Sequence, residues 1–393
     1  MKNCLFVGDY YDEEYERIIS SLSVSQSPFS SLRFNRKIIN GLKQNNISTT
    51  VLSAPYIDSW PKCKSLYFKS KSNCNDIYLA SYFNVPPFKN FSRYRNLKKQ
   101  LQHILSNNKF DFVFISEMHL PFVKLIKYIK KRNANCKIVL CVLDLPELMY
   151  LGSRKRPIYN FFKKREIKHL KKFCDMVDVF YLLSKHMMES KIITPNKKVF
   201  VRETIIENIH THVFDSRNDH TKPIVVYSGT LSKQFGIEKL LKAFALRKSN
   251  YELHIAGCGE CQQEVVDAAN RDSDLKFFGL LIGNDYKSFL KKADYFVNPR
   301  SDDNQFSKYS FPSKIGEYCS YNKPIISFDM EVLNEDFKFA MYISSSNSAE
   351  ELAKTIDEAI SSKKTYLLKC NNAEKLSLKY SEKMIIRDLI GLL

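Results

Sequence analysis

A polar loop between two apolar runs carries the residues best suited to chemistry. The run at residues 293–297 predicts a buried strand, and a helix with Pro312 in its first turn follows the loop. Arg300 and Lys314 bracket the loop. Glu317 lies three residues after Lys314, so both side chains can project from one helix face.

These three charged side chains suit a nucleoside diphosphate. The two cations can pair with the phosphates, and a glutamate near the start of the helix can accept two hydrogen bonds from a ribose diol. A strand, a loop and a helix N-terminus also form the usual anion pocket of an open parallel sheet. The pattern therefore predicts a nucleotide site in the second half of the chain.

Strands and helices alternate on both sides of this site, which predicts parallel sheets covered on both faces. The predicted strands are 4–7, 49–53, 110–115, 137–143, 177–182, 198–202, 223–227, 251–256, 275–278, 293–297, 324–328 and one near 341. The predicted helices are 32–42, 93–105, 120–131, 153–173, 184–190, 236–247, 262–270, 285–291, 349–361 and 381–393. Between residues 54 and 92 we expect loops with short elements.

The polar segment at residues 213–222 lacks hydrophobic periodicity and predicts a domain boundary. We expect an α/β chain in which two doubly wound, Rossmann-like domains face a central cleft. The first domain is residues 1–212 and the second is residues 223–375. A C-terminal helix at residues 376–393 is expected to cross back to the first domain.

The composition indicates an anionic partner. The 393 residues include 61 Lys and Arg against 42 Asp and Glu, a formal net charge of +19. Residues 153–173 hold nine Lys and Arg against Glu166, interleaved with apolar residues, which predicts a basic amphipathic helix. Its apolar stripe could pack on its own sheet while the basic face meets anionic lipid.

No window reaches ~18 uninterrupted apolar residues, so no transmembrane helix is predicted. The N-terminus lacks a signal-peptide pattern, which favours a cytoplasmic protein with its ten cysteines reduced. Cys258 and Cys261 have metal-like spacing but no further ligands near them, so no metal site is predicted. A redox role for this pair stays open.

Four segments between residues 225 and 326 form a specific set when taken together. In order they are VVYSGTLSKQFGIEKLLKAF, YELHIAGCGE, LKFFGLL, and ADYFVNPR with YSFPSKIGEYCSYNKPII. The set resembles the C-terminal domain of GT-B glycosyltransferases of the family 4, or group 1, type, and most of all bacterial enzymes of capsule, exopolysaccharide and O-antigen synthesis. DFVFISEMH, CVLDLPELM and VDVFYLLSKHM give a fainter match in the first half.

The resemblance implies retaining, metal-independent transfer of a sugar from a UDP or GDP donor, with no cofactor. The donor would lie on the C-terminal domain and the acceptor, a saccharide or polyprenyl-diphosphate-linked saccharide, would meet the N-terminal one. Together with the basic, aromatic-bearing segments, such an acceptor favours a peripheral protein on the cytoplasmic face of the inner membrane, with an anionic membrane surface as partner. No nucleic acid is expected as a partner.

Glu317 matches the family glutamate that holds the ribose. The family's other motif glutamate falls at Tyr309 here, so contacts to the donor sugar are expected from elsewhere. The backbone N–H groups of Ser310 and Phe311 are the candidates. Gly257, in the second matched segment, is also expected at the donor.

The family usually carries two cations that contact the diphosphate in the loop after Gly229, an Arg and a Lys. Here those positions hold Thr230 and Phe235. Leaving-group stabilisation is then expected first from the cations at positions 300 and 314, and next from Lys233. A degenerate, inactive site is the alternative.

In the first domain many relatives place a His at the strand end before the cleft. This chain has Asp144 at the matching point, and His119 follows a neighbouring strand. Either could orient the acceptor hydroxyl or act as base, and either could instead be a helix cap or a loop residue.

Two other functions stay open. One is another GT-B chemistry, such as a nucleotide-sugar epimerase, although few acid/base residues are found near the expected cleft. The other is a catalytically degenerate, basic GT-B protein that binds membranes or nucleic acid. No recognisable nucleic-acid module accompanies the basic clusters.

Overall fold

The computed structural model describes residues 2–22, 30–70, 76–148, 157–207, 221–303 and 307–393, without the side chains of residues 30 and 157–163. The predicted linker at residues 213–222 lies almost wholly outside these ranges. The chain divides into two compact units. Unit 1 is Met1–Ile205 with Glu382–Leu393, and unit 2 is Ile206–Ser381.

Unit 1 is built on a parallel sheet that has seven strands within the described residues, in the order β4-β2-β1-β6-β7-β8-β9. Short strands β3 and β5 form a separate antiparallel pair. The strands are β1 Asn3–Gly8, β2 Ser48–Ser53, β3 Tyr67–Phe68, β4 Ile77–Leu79, β5 Tyr82–Phe83, β6 Phe112–Ser116, β7 Lys137–Val142, β8 Val179–Leu182 and β9 Lys198–Val201. The helices are α1 Glu13–Leu22, α2 Ser30–Gln44, α3 Phe88–Asn107, α4 Leu120–Val123, α5 Leu125–Arg132 and α6 Pro157–Cys174.

Unit 2 has a second parallel sheet, with six described strands in the order β12-β11-β10-β13-β14-β15. This is the usual order of a dinucleotide-binding fold. The strands are β10 Ile224–Ser228, β11 Glu252–Ala256, β12 Leu275–Phe277, β13 Tyr295–Asn298, β14 Ile325–Phe328 and β15 Met341–Ser344. The helices are α7 Ile237–Ala245, α8 Gln262–Arg271, α9 Gly283–Lys291, α10 Ser313–Cys319, α11 Glu335–Ala340, α12 Ala349–Ser361 and α13 Lys363–Lys379.

The central strands are buried along their whole length, as expected for parallel strands with both faces covered. In β6, β10, β13 and β14 every residue is buried. Continuous apolar runs therefore marked these strands correctly, and the predicted doubly wound α/β fold with parallel sheets is confirmed.

Some elements differ from the predictions. The helix predicted at residues 120–131 is two helices that meet at Lys124, and the one predicted at 184–190 is a 3-10 turn, Lys185–Glu189. Helices α1, α11 and α13 were not predicted. Most of α13 is polar and carries no clear apolar stripe, so its sequence gives little helical signal.

The last helix, α14 Glu382–Ile390, belongs to unit 1 and packs on α2. The chain leaves unit 1 after Ile205 and re-enters it at Glu382. At this point Ile206 and Ser381 form a parallel bridge, and the Ile206 N–H donates to the Tyr380 carbonyl at 2.9 Å. The units divide after Ile205 and after Ser381, whereas the sequence predicted divisions after residues 212 and 375. Helix α13 continues to Lys379 within unit 2.

Helix α6 occupies most of the basic segment. Leu170 and Cys174 are buried, whereas Lys164, Arg165, Lys168, Lys171 and Lys172 are exposed. The apolar side of this helix therefore packs on unit 1, and its basic side faces solvent. None of the described helices is both long and apolar enough to cross a membrane.

The contact between α2 and α14 predicts the effect of a small substitution. A Cβ on Gly41 would lie 2.5 Å from the Glu382 carbonyl oxygen and 2.5 Å from Ile386 Cγ1. Gly to Ala inside a helix normally adds up to ~1 kcal/mol of stability. Here we expect Gly41→Ala to lower the free energy of unfolding by about 1–3 kcal/mol, because α14 must shift.

Urea denaturation measures this difference, with Asn40→Ala, on the exposed side of the same helix, as the matched control. The control should be neutral or slightly stabilising. Equal behaviour of the two variants would contradict the packing described.

Candidate functional site

In unit 2 the loops after β10 and β11 contact each other through backbone atoms. The Gly229 N–H donates to the Ala256 carbonyl at 3.0 Å, and the Leu231 N–H donates to the Cys258 carbonyl at 2.9 Å. A Cβ on Gly257, whose φ is +149°, would lie 1.8 Å from the Gly229 oxygen. Only glycine allows this approach, so Gly257 fixes the position of Gly229.

Beside Gly229, three side chains of α9 and α10 share hydrogen bonds. Lys314 Nζ lies 2.8 Å from Glu317 Oε2 and 2.7 Å from the Tyr286 hydroxyl, which donates to the same Glu317 oxygen at 2.9 Å. Ser228, at the end of β10, also bonds the Tyr286 hydroxyl at 3.0 Å. The structure thus brings Lys314 and Glu317 together as the sequence predicted, and adds Tyr286.

Lys314 lies close to the loop at Gly229, which we call the glycine loop. Its Cε lies 3.7 Å from where a Cβ on Gly229 would stand. The Tyr318 ring, stacked on Phe296 at 4.3 Å, supports the cluster from below, and its hydroxyl accepts from the Ser228 N–H at 2.9 Å. The side chains of Lys314 and Glu317 are half-buried, so both can reach a ligand.

Arg300 follows β13 and lies with its guanidinium carbon 5.8 Å from the centre of the Phe235 ring. Within the described ranges its guanidinium has no hydrogen-bond or ion-pair partner. Burial lowers its pKa, and Asp302 opposes this shift. A desolvated guanidinium of this kind is suited to an incoming anion.

The other cation named for the diphosphate, Lys233, is engaged elsewhere. Its Nζ pairs with Glu238 at 2.8 Å in an exposed ion pair, and this hydrogen bond raises its pKa. Thr230 is exposed, and its carbonyl accepts from the Tyr227 hydroxyl at 2.9 Å. Of the three candidate cations, Lys233 is therefore the least available.

Two backbone N–H groups before α10 were expected to contact the donor sugar, and one of them already has a hydrogen-bond partner. The Ser310 N–H already donates to the Ser307 carbonyl at 3.1 Å. The Phe311 N–H has no backbone partner in the part of the chain that the structure describes, while the Phe311 ring packs on Phe337 at 4.9 Å. Phe311 is thus the candidate that the geometry leaves available.

Unit 1 has its own polar cluster at the carboxyl ends of β1 and β6. Asp9, only 1% exposed, accepts hydrogen bonds from the Tyr56 N–H and the Ser31 hydroxyl, both at 3.0 Å. Burial raises the pKa of Asp9 to about 6. Glu117 is near enough for the charge of Asp9 to raise the pKa of the Glu117 carboxyl.

Glu117 is unusual in both backbone and side chain. Its φ of +75° is rare for a residue with a Cβ, and such strain concentrates at functional sites. Burial first, and then Asp9, raise its pKa well above the ordinary value, although a hydrogen bond with Tyr56 lowers it. Its Oε1 is buried without a hydrogen-bond partner among the described residues.

Arg93 brings a cation into this cluster from α3. It is 2% exposed, lies 4.4 Å from the centre of the Tyr82 ring, and donates to the Pro55 carbonyl at 2.8 Å. Its Nε, like Glu117 Oε1, has no partner within the described part of the chain. The cluster therefore holds a buried donor and a buried acceptor that are both unsatisfied.

His119 belongs to the same cluster. Its Nε2 lies 3.2 Å from Arg93 Nη1, and since a guanidinium only donates, Nε2 must accept. The side chain makes no cap hydrogen bond to α4. Asp144 lies at the surface after β7, where partial burial raises its pKa, and its charge reaches Glu117.

Sequence reasoning missed Tyr286, Asp9, Arg93 and Glu117. Asp9 and Glu117 each directly follow a strand, and that position was the available signal. Nothing local distinguishes Tyr286 or Arg93. Cys258 and Cys261 are free thiols, and the described residues include no group of three or more His, Cys, Asp and Glu placed to hold a metal.

Comparison with known proteins relates the site to a family. Residues 208–376 match the family model described as glycosyl transferases group 1. No curated protein sequence matches the chain.

Three solved structures share the fold at low identity. Sucrose-phosphate synthase from Thermosynechococcus elongatus has a TM-score of 0.62 at 12% identity, covering 100% of this chain and 98% of that one. HepE of Anabaena, solved with UDP and with UDP-glucose, has a TM-score of 0.59 at 11% identity, covering 100% and 99%. The lipopolysaccharide outer core galactosyltransferase WaaB has a TM-score of 0.61 at 13% identity, covering 99% and 98%.

The buried carboxyl of Asp9 predicts a pH dependence of stability. Its pKa of about 6 exceeds the ~3.9 of an unfolded aspartate, so the folded protein holds this proton more tightly. Its contribution to the free energy of unfolding therefore falls as the pH rises from about 4 to about 6, and stays level above that. The expected change is roughly 2–3 kcal/mol.

Asp9→Asn keeps an acceptor for the Tyr56 N–H and removes this titration. Urea denaturation of both proteins at pH 4.5 and pH 7.0 should show the variant gaining stability relative to the wild type as the pH rises. Glu13→Gln, at an exposed carboxyl of α1, is the control and should leave the profile unchanged. Parallel profiles for wild type and Asp9→Asn would contradict the assignment.

Proposed function

We propose a donor, an acceptor and a mechanism for this chain from two findings: it has the GT-B fold, and its residues 208–376 match the group 1 glycosyl transferases. It transfers a sugar from a UDP or GDP conjugate, with retention and without a metal, to a saccharide or lipid-linked saccharide. The product belongs to a bacterial surface polysaccharide.

The observation that carries this proposal is the cluster of Lys314, Glu317 and Tyr286 beside Gly229. Glu317 Oε2 is fixed by Lys314 and Tyr286, and its carboxylate can accept from a ribose diol. The ammonium of Lys314 stands next to the glycine loop, where the backbone lets a phosphate approach.

Arg300 supplies the second cation for the diphosphate. In the transfer step the bond from the sugar C1 to the phosphate oxygen breaks, and charge builds on the departing diphosphate. A guanidinium that has no partner among the described residues and is partly out of water stabilises that charge more than an exposed one would. Arg300 and Lys314 thus take over from the cations absent at Thr230 and Phe235.

The polar cluster of unit 1 is proposed to hold the acceptor. A sugar hydroxyl both donates and accepts. It suits a site where an acceptor, Glu117 Oε1, and a donor, Arg93 Nε, have no partner among the described residues. As the new bond forms from the acceptor oxygen to C1, its proton passes to a base. Asp144 and His119 are the candidates, and Asp144 is the more accessible.

The structural neighbours support the donor and the pathway. HepE was solved with UDP and UDP-glucose, and WaaB is named for the lipopolysaccharide outer core. The exposed basic side of α6 supports a peripheral position on the cytoplasmic face of the inner membrane. A degenerate site is the competing hypothesis, because Thr230 and Phe235 replace both family cations.

A thermal-shift panel of nucleotides and nucleotide sugars tests the donor site. A ligand at ~100 times its dissociation constant should add roughly 2.7 kcal/mol to stability. We expect a UDP or GDP compound to stabilise the wild type, and Glu317→Gln to lower its affinity roughly 10–100-fold, since a charged hydrogen bond contributes about 1.5–3 kcal/mol.

Glu358→Gln, at an exposed carboxyl of α12, is the matched control and should bind like the wild type. A panel in which nothing stabilises the wild type would favour the degenerate protein. If the variant Glu317→Gln binds as tightly as the wild type, the ribose is held by other residues.

Arg300 is tested by the phosphate it is proposed to contact. Arg300→Gln should weaken the nucleoside diphosphate roughly 10–100-fold while changing the affinity for the nucleoside alone little. Calorimetric titration measures both affinities, with Arg271→Gln, at the exposed end of α8, as the control. An equal loss for both ligands would show general damage to the pocket.

A further inference from the structure

Residues 60–91 of unit 1 expose large apolar side chains that sugar transfer does not use. Phe88 and Phe91 are 64% and 67% exposed. Together with the other exposed members we call them the aromatic surface: Trp60, Leu66, Tyr67, Phe83, Phe88 and Phe91.

Hydrogen bonds and ring contacts join these side chains into one surface. Tyr67 of β3 pairs with Phe83 of β5, and their rings lie 5.1 Å apart. The Phe83 N–H donates to Ser92 Oγ at 3.0 Å, which ties β5 to the first turn of α3. Phe88 and Phe91 are three residues apart in that turn and share one helix face. Trp60 lies close to Phe83, because the backbone N–H of Trp60 donates to the carbonyl of the next residue, Asn84, at 3.0 Å.

The part of the sequence that carries this surface is strongly basic. Residues 60–99 contain nine Lys and Arg and a single acidic residue, Asp76. Helix α3 has no acidic residue along its length. Arg95 and Lys99 are exposed and follow Phe91 at intervals of four, so they continue the same helix face.

We propose that the aromatic surface inserts into the interface of an anionic membrane, with the exposed Arg95 and Lys99 of α3 lying on the lipid phosphates. Trp, Tyr and Phe suit the boundary between headgroups and acyl chains, where a ring can be partly apolar and partly wet. Each nearby Lys or Arg adds attraction to an anionic leaflet. A second copy of this chain would bring the same positive charge against itself.

The position of the aromatic surface on α3 also places the proposed membrane contact on the helix that supplies Arg93 to the polar cluster of unit 1. Helix α3 carries the aromatic residues on its exposed face and Arg93 on its buried face. A lipid-linked acceptor would therefore meet the cluster from a membrane held by the same helix. The inference rests on the membrane association proposed above and is independent of the donor site.

Trp60 makes the test direct, because it is the only tryptophan of the chain. The full chain is mixed with vesicles of phosphatidylcholine alone or of phosphatidylcholine with phosphatidylglycerol. On the anionic vesicles we expect a blue shift of tryptophan emission and quenching by lipids brominated on the acyl chain. The neutral vesicles should give neither.

Phe88→Ala with Phe91→Ala should reduce sedimentation with anionic vesicles by tenfold or more. Phe339→Ala, which removes an equally exposed phenylalanine of unit 2, is the control and should not change binding. The stabilisation by nucleotides should be the same in all variants. A failure of the membrane proposal can therefore be distinguished from a failure of the proposed donor site.

Three results would overturn the proposal. One is vesicle binding without quenching of Trp60 and without loss in the double variant, which would place the contact elsewhere, such as on α6. The second is no binding to anionic vesicles. The third is self-association that the double variant abolishes, which would make a second copy the occupant.

Discussion

The candidate site of unit 2 depends on a backbone contact that no side chain can replace. Gly257 lets the loops after β10 and β11 approach until the Gly229 N–H reaches the Ala256 carbonyl at 3.0 Å. This contact sets Gly229 beside Lys314, and Lys314 in turn fixes Glu317 and Tyr286. A Cβ at this position would separate the loops and move Gly229 away from Lys314, so the proposed phosphate site of unit 2 depends on the absence of a side chain at Gly257.

Unit 1 faces a different constraint, which is the cost of keeping charges out of water. Asp9, Glu117 and Arg93 are brought into one cluster in which neither carboxyl pairs closely with the guanidinium among the described residues. Isolated buried charges are costly, and the carboxyls respond by raised pKa values. The strained backbone of Glu117 adds to this cost. A fold that needed only stability would have little reason to keep these groups, and they suit the acceptor site proposed for unit 1.

The sequence was informative wherever one local pattern controlled the outcome. Strands such as β10 and β14 are buried on both faces, so continuous apolar runs predicted them, and the spacing of Lys314 and Glu317 predicted their shared face. The contacts missed are those between distant residues. Tyr286 bonds Glu317 across 31 positions, and Arg93 meets His119 across 26, so no local pattern contained either pair. Helix α13 was missed because its contacts, not an apolar stripe, hold it in place.

Where this chain differs from the group 1 pattern that its second half resembles, the difference is best understood as a change in where the positive charge comes from. Replacing a lysine by Phe235 removes a cation from the loop after β10. It also creates a ring beside which Arg300, from the loop after β13, can lie. An aromatic face attracts a guanidinium and shields it from water without neutralising it. The loop thus keeps a role in placing positive charge although it no longer supplies that charge. A site that had lost its function would have no need to keep Arg300 partly buried and without a counter-ion among the described residues.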